Sequence, residues 1–335
     1  MIVLRLFLAA ALAAAFVTSV DSCEDDQSDP DTTGPEKTAP GEDEQETGDP
    51  QMDERTKRMY EFALNDDTDF EVMPKPQPGD WLYSHAEQHQ TFDDYVGTSP
   101  RRPADNRRKI TIIPIGDFPG REEKLLEPIR EYCSIVFSCE TVLLPKEKIP
   151  PDAPGRPASW DASQTQYRTG YLLTRFLRPR VPRDAICLLG ITMADLYPDD
   201  GWNYVFGEAS LRDRVGVFSF VRFFPEFYGQ EPSEENLQVA LMRCLKTMAH
   251  ETGHMFSLPH CVKYKCLMNG ANSQSEQDSG PIHACPYCLK KLQWNTGFDL
   301  LARYEKLAQF YDEHGYKEEA EWVTNRLKKI RASAE

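Results

Sequence analysis

One five-residue segment, His-Glu-x-x-His at residues 250–254, constrains this chain more than any other part of its 335 residues. On an α-helix, side chains four residues apart lie on one face, so His250 and His254 can reach the same metal ion. A third imidazole, His260, follows six residues later and can reach that ion only if the helix ends first. The sequence therefore predicts a helix that stops near Met255 and a sharp turn that includes Pro259.

Three histidines in this arrangement are typical of a catalytic zinc ion rather than a structural one. Three neutral imidazoles leave a fourth coordination position open to water, whose pKa the metal lowers while it also polarises a peptide carbonyl. Glu251 is placed to accept a proton from that water and to pass it to the leaving amine. The segment predicts a hydrolase in which His250, His254 and His260 hold the catalytic zinc and Glu251 is the catalytic residue.

A second set of metal-binding residues follows at once. Cys261 and Cys266 are separated by four residues, Cys285 and Cys288 by two, and eighteen residues lie between the pairs. This spacing is typical of a closed, tetrahedral four-thiolate zinc site. Disulfides are the alternative, which export of the protein would favour. We favour a structural zinc, because the pairs flank the catalytic segment and would clamp its loop, and so expect two zinc ions.

The two motifs together resemble the archaemetzincins, a metzincin family with the pattern H-E-x-x-H-x-x-G-x-x-H-C-x4-C-x-M, followed after a gap by C-x-x-C. Similar stretches lie upstream at residues 190–192, 195–198, 203–207 and 216–220. The resemblance implies a zincin fold, a Met-turn at Met268 beneath the metal, and an edge strand within residues 204–210 that pairs with a peptide substrate. It also implies a zinc-dependent peptidase that prefers short peptides, in the manner of an aminopeptidase.

The chain departs from the family pattern at one position of the active-site segment. Ser257 stands where the family has glycine, which allows the chain to turn with a positive φ. A serine there costs about 1 kcal/mol or more in the same conformation. We therefore expect a strained or altered turn, with the zinc ligands and Glu251 still present.

The remaining patterns predict an α/β fold, because strands alternate with helices. The resemblance implies that this fold is of the α+β zincin kind. We expect a mixed, mostly parallel sheet with an antiparallel edge strand, a long active-site helix, a four-cysteine zinc subdomain and a helical C-terminal tail. The strand patterns are 109–115, 139–144, 184–191, 204–210 and 215–223; the helical patterns are 122–137, 167–177, 234–255, 300–313 and 317–331. The predicted catalytic domain spans residues 106–297, preceded by an extension at 55–105 that packs on it and followed by the tail at 298–335.

The N-terminal residues indicate export. Residues 1–22 combine one arginine, an apolar run and small residues, as a signal peptide does. Cys23 leaves two alternatives, simple secretion into the medium or periplasm, or a lipid anchor at a membrane surface. Residues 23–54 predict a disordered acidic linker, since residues 24–54 hold thirteen acidic residues and one lysine. The chain has no basic stripe, so we expect no nucleic-acid partner.

Several cysteines and histidines lie outside the two motifs. Cys133 and Cys139 could form a disulfide after export, whereas Cys187 and Cys244 fit core positions. His85 and His89, four residues apart, could share a helix face as a metal pair, but no third ligand is near, and an exposed polar helix face is favoured. His283, close to the second cysteine pair, is predicted at the surface, with contact to the zinc thiolates as the alternative.

Two functions from different classes fit these observations. The first is a zinc-dependent peptidase acting on short peptides, which Glu251 favours. The second is a zinc-stabilised, catalytically weak or inactive peptide-binding protein, which the substitution at Ser257 favours. Neither the sequence nor the resemblance indicates an oligomeric state.

Overall fold

The computed structural model describes the backbone of residues 3–6 and the whole of residues 52–104 and 106–335. The predicted signal peptide and Cys23 therefore lie outside the described residues, apart from that short backbone stretch, as does the acidic linker up to residue 51. No helix in the described part of the chain is long and apolar enough to cross a membrane.

Nine strands form two sheets. The strands are β1 (Val3–Leu6), β2 (Lys109–Ile115), β3 (Thr141–Leu143), β4 (Gly155–Pro157), β5 (Thr165–Arg168), β6 (Ala185–Thr192), β7 (Asp195–Tyr197), β8 (Gly207–Ser210) and β9 (Val215–Ser219) among the described residues. The main sheet has the order β1-β8-β9-β6-β2-β3. Strands β3, β2, β6 and β9 run parallel, and β8 and β1 pair antiparallel. This mixed sheet confirms the predicted fold class, and the strand at residues 207–210 is antiparallel as expected. Its predicted position at the edge of the sheet is wrong here, because β1, from the segment predicted as a signal peptide, pairs with it.

Ten helices surround the main sheet in the described residues. They are α1 (Glu54–Asn65), α2 (Trp81–Ser84), α3 (Phe92–Gly97), α4 (Leu126–Phe137), α5 (Thr169–Tyr171, continued as a π-helix over Leu172–Leu177), α6 (Glu234–Met255), α7 (Gln274–Ser279), α8 (Pro286–Thr296), α9 (Leu300–Glu313) and α10 (Lys317–Ala332). Strand β6 is buried along its whole length, as expected for an apolar central parallel strand. The predicted bounds of β2, α6 and α9 agree with the structure.

The smaller sheet was not predicted. It has the order β4-β5-β7, and its strands β4 and β5 lie outside every predicted strand pattern. The helical pattern at 167–177 is wrong at its start, because residues 165–168 are extended and the helix begins at Thr169. The buried Gln166 explains the difference, since its side-chain amide donates to Asp195 Oδ2 at 3.1 Å and to the carbonyl of Asn203 at 2.8 Å. These long-range hydrogen bonds stabilise a strand over the local helical preference.

Helix α6 carries the active-site segment into the protein interior. The hydroxyl of Ser233 accepts a hydrogen bond from the backbone N–H of Asn236 at 3.0 Å and so caps the N-terminus of the helix. Every residue from Leu245 to Met255 is buried, so the second half of the helix is surrounded by other elements. The polar side chains that lie there need partners or a ligand.

The N-terminal extension packs on the catalytic domain. The hydroxyl of Tyr95, on α3, donates to the carbonyl of Phe256 at the end of α6 at 2.7 Å. Met73 donates its backbone N–H to the carbonyl of Lys263 at 3.0 Å. At the other end of the chain, α10 packs on α9, and its Arg326 forms ion pairs with the carboxylates of Asp66 and Asp69.

Within residues 106–335, the four cysteines outside the second motif are buried, free thiols. Cys187 and Cys244 are fully buried, as core positions should be. Cys133 and Cys139 are not joined, so the disulfide considered from the sequence is absent here. Burial raises the pKa of both thiols to about 12, which keeps them protonated and unreactive.

Candidate active site

The turn that ends α6 has the geometry of a Schellman motif. The backbone N–H of Ser257 donates to the carbonyl of His254 at 2.8 Å, and that of Leu258 donates to the carbonyl of Gly253 at 3.2 Å. Ser257 itself has a φ of 69°, in the left-handed region that the family's glycine adopts readily. Its hydroxyl accepts a hydrogen bond from the backbone of Arg101 at 3.1 Å, which offsets part of the backbone strain.

This turn brings the three predicted histidines together. One ring nitrogen from each of His250, His254 and His260 lies within 4.8 Å of the others. The Nε2 atoms of His250 and His254 are 2.9 Å apart. Both are buried, so no bulk solvent separates the two nitrogens.

The other ring nitrogen of each histidine has an oxygen partner. His250 Nδ1 lies 2.8 Å from the carbonyl of Leu267, and His254 Nδ1 lies 2.6 Å from the carbonyl of Leu258. Since a carbonyl can only accept, both Nδ1 atoms carry the proton and both Nε2 atoms keep a free lone pair. Burial and the neighbouring imidazoles lower the pKa of His250 to about 3 and that of His254 well below its ordinary value.

Converging lone pairs on neutral, buried imidazoles repel one another unless a cation lies between them. The donor set therefore fits a zinc ion, which is held by neutral histidines whose second nitrogen is hydrogen-bonded. Glu251 provides a second observation that points to this ion. Its side chain is almost fully buried, and Oε1 accepts no hydrogen bond from any described residue.

The carboxylate of Glu251 lies beside the histidine cluster, with Oε1 3.9 Å from His250 Nε2. Burial raises the pKa of Glu251 to about 8 in the absence of a metal ion. A cation held by the imidazoles would oppose this rise and favour the charged carboxylate. The same carboxylate would then be able to accept a proton from water.

Met268, the residue of the expected Met-turn, packs against helix α6. Its side chain is 1% exposed and packs against the backbone of Gly253, between the two helical histidines. The preceding residue, Leu267, supplies the carbonyl that holds His250. The Met-turn loop therefore both supports α6 and orients one imidazole.

The four cysteines of the second motif also meet in space. Their sulfur atoms lie within 4.8 Å of one another, and all four residues are buried: Cys261, Cys266, Cys285 and Cys288. They are free thiols, and the sulfur atoms of Cys261 and Cys285 are 3.6 Å apart. That separation is too long for a disulfide and suits a shared metal ion. Backbone N–H groups of Met268 and Cys285 donate hydrogen bonds to the sulfur of Cys266, at 3.5 Å and 3.2 Å.

Comparison with known proteins assigns the family. Residues 127–294 match the model of peptidase family M54. The chain is 34% identical to archaemetzincin-2 of Macaca fascicularis over 291 residues, which cover 78% of this chain and 80% of that protein. This chain is an archaemetzincin. Archaemetzincin-2 of Homo sapiens is 35% identical over 263 residues, covering 70% and 73% of the two chains. The crystal structure of archaemetzincin from Archaeoglobus fulgidus, complexed with malonate, is 27% identical and covers 55% of this chain and 99% of its own, with a TM-score of 0.41.

Family membership makes this archaemetzincin a zinc-dependent metallopeptidase, as predicted from the histidine motif. Most of the matched segment coincides with the predicted catalytic domain, whereas the extension before it lies outside the family model.

One residue of the archaemetzincin site was not recognised in the sequence. Glu87, from the extension, lies 2.9 Å and 3.1 Å from His260 Nδ1 through its two carboxylate oxygens. Burial works to raise the pKa of Glu87, but hydrogen bonds from His260 and Trp81 outweigh it, and the pKa is lowered overall. No spacing signal could have indicated this contact, since the two residues are 173 positions apart.

Three further histidines of this archaemetzincin, His85, His89 and His283, pack against aromatic rings. His85 and His89 do not share a helix face, because α2 ends at Ser84 and residues 86–90 are irregular. His85 stacks on Trp81 at 3.8 Å between ring centroids, and His89 packs edge-on against Tyr287. The surface prediction for His283 is wrong, because its ring stacks on Trp322 at 3.6 Å and contacts Phe70. The residue that covers His283 is Trp322 on α10, which is distant from it in sequence.

A cavity of about 140 Å³ opens beside the histidine cluster. His250 and His260 form part of its wall, together with the loop that follows the Met-turn. The extension supplies the facing wall through Met73, Pro74, Pro76, Trp81 and Leu82. The lining is largely apolar, with lysine and carboxylate groups at intervals, as in pockets that hold organic ligands.

Proposed function

We propose that this archaemetzincin hydrolyses short peptides in the manner of an aminopeptidase, with Glu251 as its general base. The observation that carries the proposal is the buried carboxylate of Glu251, which has an unpartnered oxygen next to three converging imidazoles. A buried carboxylate without a partner is costly for stability, and such groups are retained where chemistry requires them.

The size of the cavity supports a short substrate. A volume of about 140 Å³ accommodates one or two side chains, and the extension restricts it on one side. The preference for the peptide N-terminus rests on the family resemblance.

The reaction follows from the placement of the side chains. His250, His254 and His260 would hold the zinc ion, which when bound supplies a Lewis acid that acidifies water and polarises the scissile carbonyl. Glu251 accepts a proton from the attacking water as the water oxygen forms a bond to the carbonyl carbon. Glu251 then donates that proton to the amine nitrogen as the carbon–nitrogen bond breaks.

The four cysteines would hold a second, structural zinc, so we propose two zinc ions in the protein. Elemental mass spectrometry on the purified wild type and on His254→Ala tests this count. We expect two zinc ions in the wild type and one in the variant. One zinc ion in both would mean that the histidine site is empty, which would contradict the catalytic proposal.

Glu251→Gln tests the general base separately from the metal site. The amide has nearly the same size but cannot accept the proton, so we expect the variant to fold, to keep both zinc ions and to lose peptide hydrolysis. The assay compares free and N-terminally acetylated peptides of two to six residues, since an aminopeptidase requires the free amine. Equal hydrolysis by wild type and variant would contradict the role of Glu251. If neither hydrolyses any peptide, and the wild type holds zinc and binds peptides, the weak peptide-binding alternative is correct.

We also propose that the protein is exported, with secretion and lipid anchoring at Cys23 as the two alternatives. Expression of the full chain followed by fractionation and intact-mass measurement tests both. Loss of residues 1–22 with an unmodified Cys23 indicates secretion, and a lipid mass on Cys23 indicates anchoring. A full-length, unprocessed chain would contradict export.

A further inference from the structure

We infer that Glu87 and Trp81 of the N-terminal extension position the zinc ligand His260, so that the extension contributes directly to the metal site. The three histidines are not oriented alike. His250 and His254 are held by backbone carbonyls of the segment that directly follows α6, whereas His260 is held by a side chain from outside the matched family segment. The inference rests on the proposed role of these histidines as zinc ligands.

Glu87 is itself fixed by two donors. Its Oε1 atom accepts hydrogen bonds from His260 Nδ1 and from Trp81 Nε1, both at 2.9 Å. The His260 side chain is 8% exposed and that of Glu87 is 28% exposed, so water competes only partly for these contacts. A carboxylate on Nδ1 fixes the orientation of the ring and the tautomer that leaves Nε2 free.

Three sets of contacts hold Trp81 in place. Its ring stacks on His85 and meets the ring of His260 edge-on, with centroids 5.1 Å apart. It also covers the backbone of Gly270, since a Cβ at this position would come within 2.5 Å of the indole. The backbone N–H of Trp81 donates to Glu276 Oε1 on α7 at 2.8 Å.

These contacts tie the extension to the loop that follows the Met-turn. Glu276 also accepts a hydrogen bond from the backbone of Asn272 at 2.6 Å, so one carboxylate holds both segments. The result is a chain of contacts from Glu276 through Trp81 and Glu87 to His260. Because every hydrogen-bond donor in this series of contacts is paired, the Glu87 carboxylate has little freedom to move away from the His260 imidazole.

The consequence is that His260 depends on the extension more than the other two ligands do. His250 and His254 lie on α6, and their positions follow from the helix and its end. His260 lies in an irregular segment, where its ring has no helix to orient it. Loss of the Glu87 carboxylate should therefore weaken zinc binding at the histidine site and leave the four-cysteine site unchanged.

Zinc affinity at the two sites tests the inference. Full-length wild type, Glu87→Ala and Glu87→Gln are titrated with a chelator, and the number of bound zinc ions is read by native mass spectrometry. Removing such a carboxylate typically weakens metal binding about 10- to 100-fold, so we expect a loss of this size for Glu87→Ala. The amide of Glu87→Gln still accepts a hydrogen bond but lacks the charge, and we expect an intermediate affinity. Trp81→Phe keeps the ring but removes one donor to Glu87, which should weaken binding least.

Glu61→Ala is the matched control, because Glu61 is an exposed carboxylate on α1 of the same extension. We expect wild-type zinc affinity for this variant. The inference is overturned if Glu87→Ala binds histidine-site zinc within about twofold of wild type, or if it loses the cysteine-site zinc in parallel, which would indicate general unfolding. If the wild type holds no zinc at the histidines, the proposed function fails rather than the role of Glu87.

Discussion

The side chain of Met268 lies directly beneath the backbone of Gly253, so that a Cβ at position 253 would come within 2.5 Å of the methionine sulfur. Gly253 is the residue that precedes His254 on α6, and Met268 follows the residue whose carbonyl holds His250. The approach is thus a direct contact between the active-site helix and the Met-turn. The backbone of Gly253 is helical, so glycine is not needed for its conformational freedom. It is required because there is no room for a Cβ.

Gly253→Ala should destabilise the enzyme even though alanine favours helices. Alanine gains about 1 kcal/mol over glycine in a helix interior, but forced displacement of a packed side chain costs about 1–3 kcal/mol. We expect a net loss of about 1 kcal/mol in the free energy of unfolding. The displacement of Met268 should also weaken zinc binding at the histidines. Denaturant unfolding and zinc titration measure both effects.

The same substitution in a Met268→Ala background is the control. With the sulfur gone, alanine at position 253 has room, so its helix preference should make it stabilising in that background. A double-mutant cycle measures the coupling between the two positions. The same loss in both backgrounds would contradict the steric argument.

Local sequence patterns predicted the elements on which the site depends. The bounds of α6 follow from its long amphipathic pattern, from Ser233 at its start and from Pro259 beyond its end. The meeting of the three histidines follows from their spacing, because a helix fixes two of them and only one type of turn returns the third. These inferences need no information about distant parts of the chain.

Long-range contacts explain what the sequence patterns missed. The strand β5 depends on the side chain of Gln166, whose partners lie about thirty residues away. Glu87 reaches His260 across 173 residues, and Trp322 covers His283 from the C-terminal helix. No periodicity or spacing encodes such pairs, so the extension appeared to be only a packing element.

Ser257 provides a test of backbone strain at the end of α6. Ser257→Gly removes the cost of a positive φ, about 1–2 kcal/mol, but also removes the hydroxyl that accepts from Arg101. A typical hydrogen bond contributes about 1 kcal/mol, so we expect the glycine variant to be as stable as wild type or slightly more stable. Ser257→Ala loses the hydrogen bond and keeps the strain, and we expect it to be about 1 kcal/mol less stable than wild type.

Thermal and denaturant unfolding of wild type, Ser257→Gly and Ser257→Ala measure this order of stabilities directly. Zinc titration should follow the same order, since Leu258, the next residue, orients His254. A glycine variant less stable than the alanine variant would show that strain at this turn is negligible.

The response of the four-cysteine site to a chelator and to a reductant distinguishes a bound zinc ion from disulfides. If Cys261, Cys266, Cys285 and Cys288 hold zinc, a strong chelator should lower the midpoint of thermal unfolding and a reductant should not. The chelator should also expose four thiols to alkylation. The buried thiols of Cys133 and Cys139 should stay protected while the protein remains folded, because burial raises their pKa to about 12.

Cys285→Ser should lose the cysteine-site zinc and become less stable, and its histidine site should lose affinity as well. Leu267 and Met268 lie in the loop that the cysteines enclose, and the carbonyl of Leu267 orients His250. Loss of the cysteine-site zinc should therefore disturb the orientation of His250. Cys244→Ser, in the core but outside the cluster, is the control and should keep both zinc ions. A midpoint that falls with reductant and is unaffected by chelator would instead indicate disulfides.

The ion pairs between α10 and the extension predict how stability changes in acid. Arg326 has a side chain only 1% exposed and contacts Asp69 Oδ2 at 2.9 Å. Although burial alone would raise the pKa of Asp69, hydrogen bonds from Lys329 and Arg326 lower it below the ordinary value of 3.8. A carboxyl whose pKa is lower in the folded state stabilises the fold above the unfolded pKa and loses that contribution as the pH falls. The contribution of Asp69 should therefore be complete above about pH 4 and decline below it.

Asp69→Asn tests the sign of this dependence. The wild type should be more stable than the variant at neutral pH, and the difference should shrink as the pH falls below about 4. Both proteins lose zinc in acid, so the comparison cancels that effect, and Asp93→Asn, at an exposed position on α3, controls for the loss of a charge. Removing the buried partner should cost more, about 3 kcal/mol for Arg326→Ala, because Asp66 then loses its ion pair and Asp69 keeps only Lys329 as a cation. A difference between wild type and Asp69→Asn that grows on acidification would contradict the lowered pKa of Asp69.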